Sequence, residues 1–262
     1  MEKSWTSFHS LGLAVILFLM PSVAWWSLAS GRTLFCWLSN LLLVIGFMAV
    51  AGHGVLGHWR GVLIDHRNVI SLSRLQLVVW TVIVLSAFFT GSLWNLLVGQ
   101  EDALKINVPT ELWILMGIST TSLVGSPLIM SGKKERDPRE SELDATKKSL
   151  TAQGYHSDMV DHKGLILVNT DPKQARWSDM FTGDETGNGA HVDMAKVQMF
   201  FFTIIIALAY STALGRLFAT TGANGFIAFP NLDQSMLSLI GISHAGYLTS
   251  KGTTHSQIAE QP

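Results

Sequence analysis

Ser71-Leu72-Ser73-Arg74-Leu75-Gln76, running on to Trp80-Thr81, and Asp193-Met194-Ala195-Lys196-Val197-Gln198, running on to Phe202-Thr203, read as two versions of one pattern. A capping residue, a cation, a glutamine, an aromatic and a threonine follow in the same order, and each series enters a long apolar run. Downstream, Leu115-Met116-Gly117-Ile118-Ser119 matches Leu239-Ile240-Gly241-Ile242-Ser243. The copies are offset by 122 residues at the glutamines and 124 at the glycines. Each copy reads as a hairpin of two membrane-spanning helices, over 59–131 and 193–251.

Composition agrees. Charged residues make up 14% of the chain, against about 25% in soluble domains, and mean hydropathy is +0.33. That leaves too little polar surface to coat a soluble globule of 262 residues. A hydrocarbon layer of about 30 Å takes about 20 helical residues to cross. Apolar runs of about that length occur at 11–28, 34–55, 77–98, 112–130 and 197–218, with a shorter one at 236–248 interrupted by His244. The first run also has features of a secretory signal, with Lys3 ahead of it and the small-residue spacing Ser22-Val23-Ala24. Against cleavage, Trp25-Trp26-Ser27-Leu28 extends the run to spanning length and Glu2 offsets Lys3.

Six spans with a cytoplasmic N-terminus put every Lys and Arg inside except Arg32, Lys105 and Arg216, three of 18. This is the bias of the positive-inside rule. Tryptophan, which favours the headgroup level, is consistent with the same topology. Trp25, Trp26, Trp37, Trp94 and Trp113 fall at outer ends, and Trp5, Trp59, Trp80 and Trp177 at inner ones, with a core position the alternative for Trp80. Two spans per copy is an even number, so both copies enter in the same sense and the repeats are parallel, related by an axis along the membrane normal. The expected fold is an all-α polytopic membrane protein of six transmembrane helices. Its last four form two parallel repeats, with two N-terminal helices (1–58) outside them, a small mostly irregular cytoplasmic insertion (132–192) and a cytoplasmic tail (252–262).

Polar residues within the spans are few. Gln76 and Gln198 sit at the inner boundary, suited to bonding a neighbouring helix. Ser119-Thr120-Thr121-Ser122 and Ser243 could line a polar path, although hydroxyls also bond their own helix carbonyls. Gly117 with Thr121, and Gly241 with Ala245, have the small-xxx-small spacing of close helix packing. His53 and His244 are the intramembrane ionisable candidates. Two such imidazoles could ligate haem iron or relay a proton, while neutral rings bonded near the interface are the plainer reading.

In the insertion, 141–152 reads as a short helix and Gly164-Leu165-Ile166-Leu167-Val168-Asn169 as a strand, with Val62-Leu63-Ile64 as a candidate partner. Trp177, Met180 and Phe181 would form one apolar helical face. The run Gly183-Asp184-Glu185-Thr186-Gly187-Asn188-Gly189 lacks the ending of a phosphate loop and the ligand spacing of a calcium loop, and reads as a turn leading to an Asp193 cap.

The lone Cys36 excludes an internal disulfide and a multi-cysteine metal site. A net charge of −1 offers no basic face for nucleic acid. Hydrolase, zinc-protease and nucleotide-loop signatures are missing, so no catalytic residue, cofactor or metal is expected. The leading expectation is a non-enzymatic membrane subunit or scaffold, in the lipid bilayer of a bacterial inner membrane with both termini cytoplasmic. It would engage a cytoplasmic protein through 132–192, and self-association is a further option. The alternatives are a channel or facilitator for a small solute or ion, and a haem-binding electron-transfer subunit.

Overall fold

The computed structural model describes residues 5–155, 160–222 and 224–259. Lys3 and Glu2 of the signal-like segment lie outside them. Among the described residues the chain is mostly helical, with α1 (Ser7–Ala29), α2 (Thr33–Leu56), α3 (Leu72–Leu97), α4 (Thr110–Ser131), α5 (Glu140–Ala152), α6 (Met194–Thr220) and α7 (Gln234–Gly252). The first four and α6 are long and apolar enough to cross a membrane, which makes this a multi-pass membrane protein. The sixth expected span corresponds to α7. It is 19 residues long but lies outside that set, because His244, Lys251 and several serines dilute its apolar content.

Local chemistry accounts for the boundaries. α1 runs unbroken through Pro21 and the signal-like Ser22-Val23-Ala24. α2 stops at Gly57, whose left-handed backbone (φ +70°) lets its N–H bond the His53 carbonyl at 2.8 Å. α6 starts where Asp193 Oδ1 accepts the N–H groups of Ala195 and Lys196 at 2.9 and 3.2 Å, satisfying donors a helix start leaves free. Short antiparallel bridges, Ile64 with Ile70 and Thr182 with Val192, precede α3 and α6 respectively.

The chain divides into two compact units, with α3, α4, α6 and α7 each contributing one stretch to either. The first comprises Met1–Val62, Leu77–Met116 and Ile204–Leu237. Within it α1 packs along α2. Buried Trp37 donates to Ser86 Oγ at 3.1 Å and stacks on Phe218, which stacks on Phe226. Asn95 joins two loops: its amide donates to Ala103 O and Phe226 O at 3.1 and 2.9 Å, and its Oδ1 accepts from Phe226 N. Trp80 is also buried, edge-on to Tyr210. A groove of about 400 Å3 lined by Leu41, Ile45, Val82, Ile83, Ile204 and Leu208 is apolar, as expected of a lipid-facing surface.

The second unit comprises Leu63–Gln76, Gly117–Thr203 and Ser238–Pro262. Its loop portion is more regular than the sequence suggests. β1 (Val160–Lys163) and β2 (Ile166–Asn169) form an antiparallel hairpin turned at Gly164, whose φ of +58° suits glycine. The expected pairing of this strand with Val62-Leu63-Ile64 is thus corrected. The nearby contact is instead Asn169 N–H to Arg67 O at 2.9 Å, flanked by reciprocal amide bonds between Asn68 and Asn169. α5 buries Thr146 and Leu150, and Thr146 Oγ1 donates to Thr186 O at 2.6 Å. The tail is tied in as well: Arg139 N–H bonds Gln257 O and Ala259 N–H bonds Asp137 O.

Candidate functional site

Charged side chains at the loop-side ends of α6 and α7 and before α3 would be expected to reach for water. In the second unit several of them turn inward. Asp184, in the glycine-rich run, receives Arg67 Nη1 at 2.7 Å and Lys196 Nζ at 2.8 Å on Oδ1, and Lys251 Nζ at 3.0 Å on Oδ2. Its side chain is 10% exposed, and those of the three cations 4–5%. Asp65 takes the other edge of the Arg67 guanidinium at 2.9 and 3.0 Å. Lys196 also donates to Thr182 O at 2.5 Å, and Lys251 to Ser126 Oγ at 2.6 Å.

A second buried pair lies beside the first. Lys133 Nζ meets Glu185 Oε1 at 2.5 Å and donates to Lys251 O and Thr253 O, carbonyls at the end of α7. Glu185 Oε2 accepts the N–H groups of His255 and Ser256 at 2.9 and 3.1 Å. Asp184 and Glu185 together therefore bind the segment before α3, the ends of α4 and α7, the start of α6 and the tail. Buried ions persist only when paired and hydrogen-bonded, and these are.

Burial pushes the Asp184 carboxyl up, but Arg67, Lys196 and Lys251 outweigh it and hold the group well below the usual carboxylate range. Asp179 goes the other way. Burial raises it, and the hydrogen bonds from the backbone N–H groups of Arg176 and Ile70 offset only part of that. The signs of their stability effects are opposite. The contribution of Asp184 is fully present above the ordinary value and is lost as pH falls through its depressed one. Asp179 is ionised at a cost near neutrality, and the cost disappears as pH falls through its raised value. The melting temperature of detergent-solubilised protein should therefore fall steeply only below about pH 4. Asp179→Asn should remove a gain that wild type shows on mild acidification. Identical pH profiles for the two proteins would contradict this assignment.

The sequence-derived candidates divide clearly. Gln76 is fully buried and donates Nε2 to Thr203 Oγ1 at 2.5 Å, whereas Gln198 is exposed. Ser119, Ser122 and Ser243 are buried; Thr120 and Thr121 are exposed, and Thr121 bonds its own helix at Gly117 O. Gly117 and Ala245 are exposed, and a Cβ added at Gly117 would meet nothing within 4 Å. At Gly241 the nearest atom to such a Cβ is Ile118 Cδ1 at 3.9 Å.

The two histidines belong to different units and have different partners. His53 Nδ1 lies 2.8 Å from His9 Nε2, and its ring packs on Trp59. Because His9 Nδ1 accepts the Thr6 N–H at 3.0 Å, the proton of a neutral His9 ring sits on Nε2, directed at His53. His244 Nδ1 lies 2.6 Å from Ser122 Oγ. Among the described residues no group of three or more His, Cys, Asp or Glu is placed to hold a metal ion.

Sequence reasoning missed the charge cluster. Its only local signal was an Asp-Glu pair in a glycine-rich turn, between spans whose ends carry cations. Comparison with family models, curated proteins and solved structures found no match.

Proposed function

We propose that this chain is a non-enzymatic inner-membrane subunit that presents residues 132–192 as a built platform to a cytoplasmic protein. The observation that carries this reading is the convergence of Arg67, Lys196 and Lys251 on Asp184, which fixes the platform to the spans. A tether would not need buried ions. α7 serves as the sixth span in this reading, both termini are cytoplasmic, and the positive-inside bias sets the orientation. The last four spans descend from a parallel duplication. In support, α3 and α6 begin at Leu72 and Met194, 122 positions apart, and α4 and α7 at Thr110 and Gln234, 124 apart, the offsets of the sequence repeat.

The platform exposes charged side chains at Lys134, Arg136, Glu140, Asp144 and Lys148, none of them in the buried cluster. Reversing these charges should abolish recovery of the partner by affinity capture in mild detergent while leaving the melting temperature within a few degrees of wild type. Unchanged recovery of the same proteins would contradict the reading. A second reading, passage of a small uncharged solute, is favoured by one observation: the buried hydroxyls of Ser119 and Ser243 have no hydrogen-bond partner.

A further inference from the structure

The seam between α4 and α7 in the second unit is polar along much of its length. Ser122 meets His244, Leu248 lies over Gly125, and Ser126 accepts from Lys251. These contacts join residues 122 to 125 positions apart, so the two helices run parallel in a fixed register. Ser119 lies one turn beyond Ser122 on α4, and Ser243 immediately precedes His244 on α7. A third helix reaches the same level. Ser73 of α3 donates to Tyr247 Oη at 3.1 Å; Gln76 is one turn deeper than Ser73, and Ser243 one turn deeper than Tyr247.

Within about one turn of these contacts lie three buried polar atoms without a hydrogen-bond partner: Ser119 Oγ, Ser243 Oγ and Gln76 Oε1, the last on an amide whose Nε2 donates to Thr203. Their residues are 0%, 4% and 0% exposed. A helical hydroxyl can always turn back to a carbonyl of its own helix, as Thr121 does to Gly117. Ser119 and Ser243 make no such bond, so each buried hydroxyl is left free to bond an occupant. Buried polar atoms are costly unless satisfied, and a buried water typically takes about three hydrogen bonds.

We propose that Ser119, Ser243 and Gln76 form a binding site for water, or for an uncharged hydrogen-bonding molecule of its size. The site closes the deep end of a polar column. The column passes the Ser122–His244 and Ser73–Tyr247 contacts and ends at Lys251 and Asp184. In this column fixed charge first appears at Lys251, already bonded to Asp184, which favours a neutral occupant. The inference stands whether or not solute crosses the membrane and whether or not a partner docks on 132–192.

Ser119→Cys and Ser243→Cys test it by reaction with methyl methanethiosulfonate, which requires a hydrated thiolate. Wild type supplies the control, since its single cysteine, Cys36, is fully buried. Modification on the order of tenfold faster than at Cys36 is expected; rates no faster than at Cys36 would overturn the site. A Ser119→Ala/Ser243→Ala double variant gives an independent readout. In a dry seam it removes two unpaired hydroxyls and should hold or raise the melting temperature, which would overturn the proposal. With an occupant bound it removes that occupant's partners and should lower the melting temperature.

Discussion

Asp184→Asn should leave little folded protein. The substitution keeps the shape of the side chain but removes the negative charge on which Arg67, Lys196 and Lys251 converge. Breaking one partner out of a buried ionic cluster costs about 3–5 kcal/mol, against a total stability of about 5–15 kcal/mol for a typical domain. Asp65 remains for Arg67, but it contacts that cation from the other side. Fluorescence-detected gel filtration of a tagged protein in mild detergent reads the outcome as a collapsed monodisperse peak or a melting temperature many degrees lower. Asp179→Asn is the matched comparison, because burial already raises that carboxyl. An amide oxygen can still accept from Arg176 and Ile70, so its effect should stay within about 1 kcal/mol. Equal behaviour of the two variants would refute the distinction drawn between them.

Lys133→Met should be nearly as damaging, for a second reason. The ammonium neutralises Glu185 and also satisfies carbonyls at the end of α7, at Lys251 and Thr253. Truncating it strands an anion and leaves helix-end acceptors unpaired, a loss of about 3–5 kcal/mol. Glu185→Gln alone should cost less, since Oε2 accepts two backbone N–H groups that an amide oxygen can keep. The double variant should be more stable than the sum of the two losses implies, with a coupling of about 0.5–3 kcal/mol. Additive losses in this cycle would mean that Lys133 and Glu185 do not act as a pair.

The spans were legible because their signal is local. Apolar runs gave the five long helices to within a few residues, and Asp193 was identifiable as a cap from its place before an apolar run. The platform was not legible. The sequence from Ser131 to Val192 has few apolar residues, although Leu150, Val160, Leu165, Ile166, Val168 and Met180 are buried in the structure. It is also tied to the spans by ion pairs between residues far apart in the chain, such as Arg67 with Asp184 and Lys251 with Asp184. Periodicity carries no trace of such pairs, and a cation near a span end looks alike whether it faces water or a buried carboxylate. The polar candidates show the same limit. Gln76 and Gln198 follow similar local sequence, five positions after Ser71 and Asp193, yet one is buried and the other exposed, because burial depends on neighbours the sequence does not name.

Hydrogen–deuterium exchange of the wild-type protein in mild detergent tests most directly whether 132–192 is a built part of the molecule. The N–H groups of Leu165, Leu167, Asn169, Thr186 and Asp193 bond Lys133 O, Asp184 O, Arg67 O, Leu165 O and Phe181 O. Peptides containing them should exchange slowly, over minutes to hours, and lose that protection together in Asp184→Asn. Exchange of those peptides at the rate of an unstructured chain in the wild type would contradict the ionic anchoring on which the platform depends.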